Sequence, residues 1–305
     1  MEGYRNTGEP TGSGSEAPAF TLHSEFRAAP EHFAGCFTSI YHMTLTVHHG
    51  DALVDYLQPE WGNIRFFSGN APDAVIGTTA VSGARFVATG PSALPCRFTL
   101  GTSRMWGIGF LPLGWARFFP CNASSLANVI CDGAQHPAFA PFDGLSQVLC
   151  DPDGDLDAQF GAIIAALDTL MRPTPDDGKI ARIHEAIVSG DHATVHDLAA
   201  ACAMSTRTLE RVCLRYFGFA PKLLIRRQRF MRSLTNFMLH DAARWTEAMD
   251  AHYHDQAQFT REFHEFMTMN PREYAALDHP ILASFMEARA RVWGSAAQTL
   301  DPPRR

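Results

Sequence analysis

Two segments in the C-terminal half of the chain repeat each other at a separation of fifty residues, without a gap. Residues 198–222 read LAAACAMSTRTLERVCLRYFGFAPK, and residues 248–272 read AMDAHYHDQAQFTREFHEFMTMNPR. The copies share a helix-capping residue, a core position, an outward-facing arginine and a proline: Ser205 and Asp255, Leu209 and Phe259, Arg211 and Arg261, Pro221 and Pro271. Two short helices joined by a tight turn, used twice, are the arrangement of a tandem helix-turn-helix.

A continuous helix is predicted between the two copies. The stretch PKLLIRRQRFMRSLTNFML starts with Pro221 at a favourable first helical position and carries apolar residues through to Leu239. Such a helix would hold both units rigidly. This matters because two recognition helices reach the same face of B-DNA only when they lie about 34 Å apart.

Positive charge is concentrated in the first unit and the predicted connecting helix. The whole chain carries 25 basic and 32 acidic residues, a net charge of −7, which argues against a protein wrapped in nucleic acid over its whole surface. Residues 207–232, in contrast, hold only one acidic residue, Glu210, against eight basic ones: Arg207, Arg211, Arg215, Lys222, Arg226, Arg227, Arg229 and Arg232. The two halves of the chain therefore differ in their electrostatic role.

The N-terminal half has the pattern of a β-rich domain. From about Phe20 to Cys150, short β-branched and aromatic runs alternate with turn residues, which favours an antiparallel sheet or barrel. An amphipathic helix then follows, with an apolar stripe at helical spacing: Phe160, Ile163, Ile164, Leu167, Leu170 and Met171. RPTPDDG breaks this helix.

An α+β fold with two domains is thus predicted: a β-barrel-like domain followed by an all-α tandem helix-turn-helix domain. The expected divisions are a disordered tail over 1–19, a β-rich domain over 20–172, a linker over 173–180, the helical domain over 181–280 and an extension over 281–305. The tail lacks the apolar stretch of a signal peptide, and no run approaches the eighteen or so apolar residues of a membrane span. With seven cysteines and no CxxC pair, we expect reduced thiols and a cytoplasmic protein.

Motifs for catalysis or metal binding are weak. His42, His48 and His49 have the wrong spacing for a cupin-type metal centre, and adjacent strand residues such as His48 and His49 point to opposite faces. DPDGDLD resembles a calcium loop, but its twelfth position is Ala162 instead of a bidentate glutamate. Walker, Rossmann, kinase and nucleophile-elbow motifs do not occur. We therefore expect no enzyme, no metal and no cofactor.

The C-terminal hundred residues resemble the AraC/XylS family of bacterial transcription regulators. The motif of the first unit corresponds to MSTRTLER followed by FGFAPK, and that of the second to HYHDQAQFTREFHEFMTMNPREY. Four positions depart from the family pattern: the turn glycines of the two units are Ala203 and His252, and a later Gly and Thr are Thr268 and Asn270. Glycine relieves strain at positive φ, so the docking angle of each unit on DNA is in question.

The resemblance implies which side chains meet DNA. Base-contacting positions would be Arg207, Thr208 and Arg211 in the first unit, and Gln256, Ala257, Gln258 and Arg261 in the second. Arginine suits guanine and glutamine suits adenine, whereas alanine can contact only a thymine methyl group. Arg215, Arg226 and Arg229 are candidates for phosphate contacts, with packing on the helix as the alternative.

The N-terminal half is similar, more weakly, to the cupin-like sensing domains that precede this output module in part of the family. LQPEWGNIRFFSG and WGIGFLPLGWARFF carry the similarity, which implies a small-molecule effector held inside a short barrel. Candidate lining residues are Trp61, Arg65, Phe67, Trp106 and Phe110, with an ordinary core role as the alternative for each aromatic ring.

The wide apolar stripe of residues 160–171 predicts a homodimer seam, or else packing against the same chain.

Taken with the resemblance, these patterns predict a DNA-binding transcription regulator of the AraC/XylS type, acting as a homodimer on promoter DNA and altering promoter occupancy or RNA polymerase recruitment. The rival interpretation is a small-molecule-binding or catalytic barrel whose helical half has degenerated into an interaction module. The lost turn glycines favour the rival. The paired helix caps and outward arginines oppose it.

Overall fold

The computed structural model describes residues 5–6, 18–239, 245–293 and 297–302. The remainder of the tail predicted as disordered, residues 1–4 and 7–17, lies outside these ranges. Within them the α+β prediction is confirmed, because a sheet-rich domain precedes a helical one. The strands, in chain order, are β1 (Arg5–Asn6), β2 (Phe20–Arg27), β3 (Phe37–Val47), β4 (Leu53–Leu57), β5 (Asn63–Gly69), β6 (Asp73–Ile76), β7 (Thr79–Ser82), β8 (Phe86–Thr89), β9 (Cys96–Leu100), β10 (Ser103–Phe110) and β11 (Ile130–Asp132).

These strands form two antiparallel sheets that do not join into one closed barrel. The larger sheet has the order β1-β2-β3-β10-β5-β8-β11, and the smaller has the order β4-β9-β6-β7. Side chains alternate between the faces of a strand, so odd and even positions of β3 have different surroundings. Tyr41, Met43 and Leu45 belong to the apolar cluster shared with the small sheet, whereas Ile40 belongs to a second cluster with the helices that follow.

The helices, in chain order, are α1 (Pro112–Phe118), α2 (Ser146–Leu149), α3 (Leu156–Leu170), α4 (Asp177–Ser189), α5 (Val195–Ala201), α6 (Thr206–Val212), α7 (Pro221–Leu239), α8 (Trp245–Ala248), α9 (Gln256–Met267), α10 (Pro271–Ala275) and α11 (Leu282–Trp293). The predicted connecting helix is confirmed as α7, from Pro221 to Leu239. Helix α4 begins at Asp177, so it starts inside the stretch 173–180 that was expected to be linker.

Helix α3 covers the outer face of the large sheet. Asp155 caps it by accepting a hydrogen bond from the Ala158 backbone N–H at 2.8 Å. Ile163 and Leu167 are completely buried in the cluster formed with that sheet, while Phe160 and Ile164 are half-buried. The innermost part of the apolar stripe therefore packs against the same chain, which was the alternative to a dimer seam.

The C-terminal extension returns to the first domain. Asp55 on β4 caps the start of α11, because its Oδ2 accepts hydrogen bonds from the backbone N–H groups of Ile281 and Leu282 at 2.8 and 2.7 Å. His279 lies 3.2 Å from Oδ1 of the same carboxylate. The Arg289 guanidinium donates to the Thr38 carbonyl at 3.2 Å and pairs with Asp301. The last helix is thus held by the first domain, although it follows the helical domain in sequence.

Candidate functional site

The first helix-turn-helix unit consists of α5 and α6. Ser205 caps α6, and its hydroxyl accepts a hydrogen bond from the Thr208 backbone N–H at 3.2 Å. Leu209 is completely buried under the helix, whereas Arg207 and Arg211 on the opposite face are exposed. The first unit therefore presents two arginines near the start of its second helix, where a recognition helix contacts bases.

The second unit ends in α9, whose faces follow the predicted division. Asp255 caps the helix by accepting from the Gln258 backbone N–H at 2.6 Å. The buried stripe consists of Phe259, Phe263 and Phe266, and the exposed set consists of Gln256, Ala257 and Arg261. The second unit thus presents one arginine where the first presents two.

Two of the predicted base-contacting residues are engaged in capping their own helices. The Thr208 hydroxyl lies 3.0 Å from the Ser205 hydroxyl, and the Gln258 side-chain oxygen accepts from the His254 backbone N–H at 3.2 Å. Both side chains are half-buried, at equivalent positions of the repeat. They are less available to bases than the exposed residues Arg207, Arg211 and Arg261.

Two of the four substituted positions have the positive φ that a glycine of the family pattern implies, and a third caps a helix. Ala203 in the first turn has a φ of 53°, and Thr268 has a φ of 57°, both in the left-handed region that favours glycine. Gly218, fifty residues before Thr268, has a φ of 86°. Asn270 caps α10. His252 is not among the described residues with positive φ, so its turn needs no glycine.

The arginines of α7 are largely paired with acidic residues inside the helical domain. The Arg226 Nε donates to Glu262 at 2.9 Å, its Nη1 donates to Glu265 at 3.0 Å, and Arg229 pairs with Glu262 at 2.5 Å. Tyr253 donates a further hydrogen bond to Glu262 at 2.9 Å. Arg226 and Arg229 therefore form ion pairs that hold α7 against α9. This is a packing role, which the sequence left open as the alternative to a phosphate contact. Arg215 is exposed and lies over the Tyr216 ring.

Arg227 lies at the contact between the two domains. It is completely buried, its guanidinium carbon lies 4.0 Å from the centre of the Trp61 ring, and its Nη1 donates to the Ser92 carbonyl at 2.8 Å. Trp61 also contacts Phe217 and His184 with its ring edge. Trp61 therefore holds the helical domain against the sheet domain.

A cavity of about 90 Å³ lies between the two sheets. Arg65 and Phe67 of β5 line it, as do Tyr41, Glu60 and Met105. Four residues from the start of α11 and the segment before it, together with Met231 of α7, close it from the helical side: Ile281, Leu282, Phe285 and Met286. The cavity is thus bounded by both domains.

Three predicted lining residues, Trp61, Trp106 and Phe110, lie away from this cavity. Trp106 and Phe110 occupy even positions of β10 and belong to the cluster under the helices, where the Trp106 Nε1 donates to Gln159 at 2.7 Å. Tyr41 and Glu60 were not predicted to line the cavity. The alternation of Tyr41, Met43 and Leu45 along one strand was the available signal for Tyr41, whereas no sequence pattern pairs Glu60 with Arg65.

Metal ligands and thiols are the other candidate groups in the part of the chain that the structure describes. No group of three histidine, cysteine, aspartate or glutamate residues there is arranged to hold a metal ion. Burial raises the pKa of the Cys36 and Cys131 thiols to about 11, so both stay protonated near neutral pH. Among the described helices, none combines the length and the apolar composition that a membrane span requires.

Comparison with known proteins assigns the helical region. A family model for a helix-turn-helix domain matches residues 198–276. No curated protein matches the chain. Among solved structures, ToxT from Vibrio cholerae O395 is 10% identical with a TM-score of 0.39, covering 84% of this chain and 96% of its own.

Two further structures also show low similarity to this chain. A P21 form of ToxT from Vibrio cholerae is 11% identical with a TM-score of 0.42, covering 84% of this chain and 98% of its own. The AraC-like transcriptional activator CuxR is 14% identical with a TM-score of 0.30, covering 73% and 84%. At these low values the assignment rests on the family model, the repeat and the two capped helices. Residues 198–276 of this chain match the family model of a helix-turn-helix domain, and the two capped helices described above lie within that range.

Proposed function

We propose that the chain is a sequence-specific DNA-binding transcription regulator whose activity a small molecule modulates. The observation that carries the DNA-binding part is the pair of exposed, capped helices in a matched helix-turn-helix domain, with Arg211 and Arg261 at equivalent positions. An arginine near the start of a recognition helix can make two hydrogen bonds to guanine in the major groove. The proposal assigns no catalytic step.

The two units contribute unequally in this proposal. The first unit exposes Arg207, Arg211 and Arg215, with Glu210 as the acidic residue of α6. In the second unit, Arg261 stands beside Gln256 and Ala257, while the nearby acidic residues are paired with α7. We expect the first unit to specify guanines strongly and the second to tolerate more variation.

Selection of binding sites from random duplex DNA tests the proposal. Replacing Arg211 or Arg261 by alanine should weaken binding about 5- to 150-fold and relax preference at one or two base pairs, the loss expected for one two-bond arginine contact. Arg97→Ala, an exposed arginine of the sheet domain, is the matched control and should leave the selected sequence unchanged. Circular dichroism checks that each variant is folded.

Two outcomes would contradict the proposal. If both variants lose affinity equally on every sequence, these arginines hold phosphates and read no bases. If the parent protein selects no sequence at all, the rival interpretation of a degenerate interaction module is favoured.

The cavity between the sheets is the proposed effector site. Its walls include Met231 of α7, the helix that connects the two units, and Leu282 of α11. Gln58 beside the cavity donates to the Tyr274 hydroxyl at 3.3 Å, which adds a polar link to α10. A molecule that enlarges the cavity would push on the connecting helix. In this proposal, a ligand in the cavity changes the relative positions of the two helix-turn-helix units through α7.

The proposal also includes assembly and location. The protein acts as a homodimer on promoter DNA in the cytoplasm, and RNA polymerase is a further partner. Phe160 and Ile164 of α3 pack at the edge of the core and stay partly exposed, so they are the residues that support a seam. Sedimentation of Ile164→Asp tests it, because this side chain is not part of the fully buried core. A parent that stays monomeric at micromolar concentration, or a variant as oligomeric as the parent, would remove α3 from the assembly.

A further inference from the structure

The cavity between the sheets combines an apolar wall with one small polar cluster. Among the lining residues that the structure describes, Arg65 and Glu60 are the charged ones. Most of the others are aliphatic, aromatic or methionine side chains, including Met43, Phe98 and Leu100. A molecule that fits this space must therefore be mainly apolar, and its polar part must face the cluster.

The charges of the cluster cancel each other. The Arg65 Nη2 donates to both Glu60 carboxylate oxygens, at 2.8 and 2.9 Å, and the two side chains are 8% and 9% exposed. The Arg65 Nε donates to the Tyr41 hydroxyl oxygen at 3.2 Å. A carboxylate ligand would bring a second negative charge beside Glu60 with no further cation on the described wall, and an unpaired buried charge is strongly unfavourable.

The Tyr41 hydroxyl remains able to donate a hydrogen bond. Burial raises the pKa of Tyr41, so the phenol keeps its proton. Its oxygen accepts from Arg65, and no acceptor for its own proton is found among the described residues. Gly107 on the paired strand makes room for the ring, since a Cβ atom there would come within 2.2 Å of the Tyr41 Cζ.

We infer that the cavity binds an uncharged, mainly apolar molecule of about one aromatic ring that offers a single oxygen acceptor to Tyr41, and that it excludes the corresponding carboxylate. The inference rests on the proposed function, because it takes the cavity as the effector site. The volume of about 90 Å³ is below the roughly 150 Å³ of a cavity known to bind benzene. Flexible walls at Met43, Met105, Met231 and Met286 can supply the difference.

Fluorine NMR on the full chain tests the inference with 4-fluorobenzyl alcohol and 4-fluorobenzoate, a pair that differs in charge at nearly constant size. The alcohol signal should shift or broaden saturably, and the benzoate signal should not change at the same concentrations. Equal or tighter binding of the benzoate would overturn the inference. Absence of binding by both compounds would overturn it as well.

Two variants test the assigned roles. Tyr41→Phe should weaken alcohol binding about 2- to 10-fold, the loss of one neutral hydrogen bond, while 4-fluorotoluene should bind as it does to the parent. Unchanged alcohol affinity would contradict the role of Tyr41. Loss of 4-fluorotoluene binding would show that the cavity of the Tyr41→Phe variant has collapsed. In that case the Glu60→Gln variant tests the inference.

Glu60→Gln leaves the charge of Arg65 uncompensated at nearly the same shape, so it should reverse the preference toward the benzoate. Near-UV circular dichroism checks its fold, and a folded Glu60→Gln protein that still prefers the alcohol would overturn the charge argument. Selection of DNA sites is measured without added ligand. A negative NMR result would therefore leave the DNA-binding assignment standing, whereas failed site selection with a positive NMR result would leave a binding protein of another kind.

Discussion

His184 of α4 should make the contact between the domains sensitive to mild acid. It is completely buried between the rings of Trp61 and Phe217, at centre-to-centre distances of 6.0 and 6.3 Å. Burial, and then the positive charge of Arg227, lower the pKa of His184 from 6.5 to about 3, against a smaller opposing effect from the Asp301 backbone. The folded protein therefore holds His184 neutral.

Protonation of His184 favours the unfolded chain, so the free energy of unfolding falls as the pH falls. Between pH 6.5 and 3, the unfolded chain binds a proton at His184 that the folded protein does not bind. The stabilisation is fully present above pH 6.5 and is lost as the pH falls, at about 1.4 kcal/mol per pH unit. Between pH 7 and pH 5 the free energy of unfolding should decrease by about 2 kcal/mol through this residue.

Urea unfolding at pH 7 and pH 5, followed by tryptophan fluorescence, measures this loss. His184→Phe keeps an aromatic ring but cannot titrate, so the parent should lose about 2 kcal/mol more than the variant over this interval. Asp176 and Asp250 have lowered pKa values, but their usual value of 3.8 lies below the interval, so they do not contribute. Equal losses in parent and variant would refute the reasoning.

Three further changes have expected outcomes. Thr268→Gly should raise the free energy of unfolding in urea by about 1 kcal/mol, because it removes a β-branched residue from positive φ, whereas Thr268→Ala should not. Arg226→Ala should lower stability by roughly 1 to 3 kcal/mol but leave the slope of DNA affinity against salt unchanged, since Arg226 pairs with Glu262; a slope reduced by about one unit would assign it to a phosphate. Asp55→Asn should weaken the cap of α11 and speed its removal by limited proteolysis, whereas exposed Asp51→Asn should not.

The helical domain could be predicted because its signals are local. Helix caps and the helical spacing of apolar residues involve positions within a few turns of one another, and the repeat shows the same local pattern twice. Ser205 and Asp255 accordingly cap their helices, and Leu209 and Phe259 are buried core positions, as expected.

The lining of the cavity could not be predicted because it depends on strand register and on distant pairs. A shift of one residue along β10 exchanges the two faces of the sheet, so the choice of Trp106 over Met105 needed the pairing with β5. Arg226 and Glu262 are likewise 36 residues apart in sequence, and charge alone did not distinguish an ion pair from a phosphate contact.

Capping of α11 by Asp55 has a consequence for the order of events during synthesis. The strands around the cavity are complete by Asp132, whereas the segment that closes it begins at Ile281, about 150 residues later. At about 5 to 20 residues per second, the ribosome needs roughly 10 to 30 seconds to make the intervening chain. During that time the nascent sheet domain exposes an open apolar cavity. A small molecule in the cell can therefore meet this site before the chain has its own closing helix.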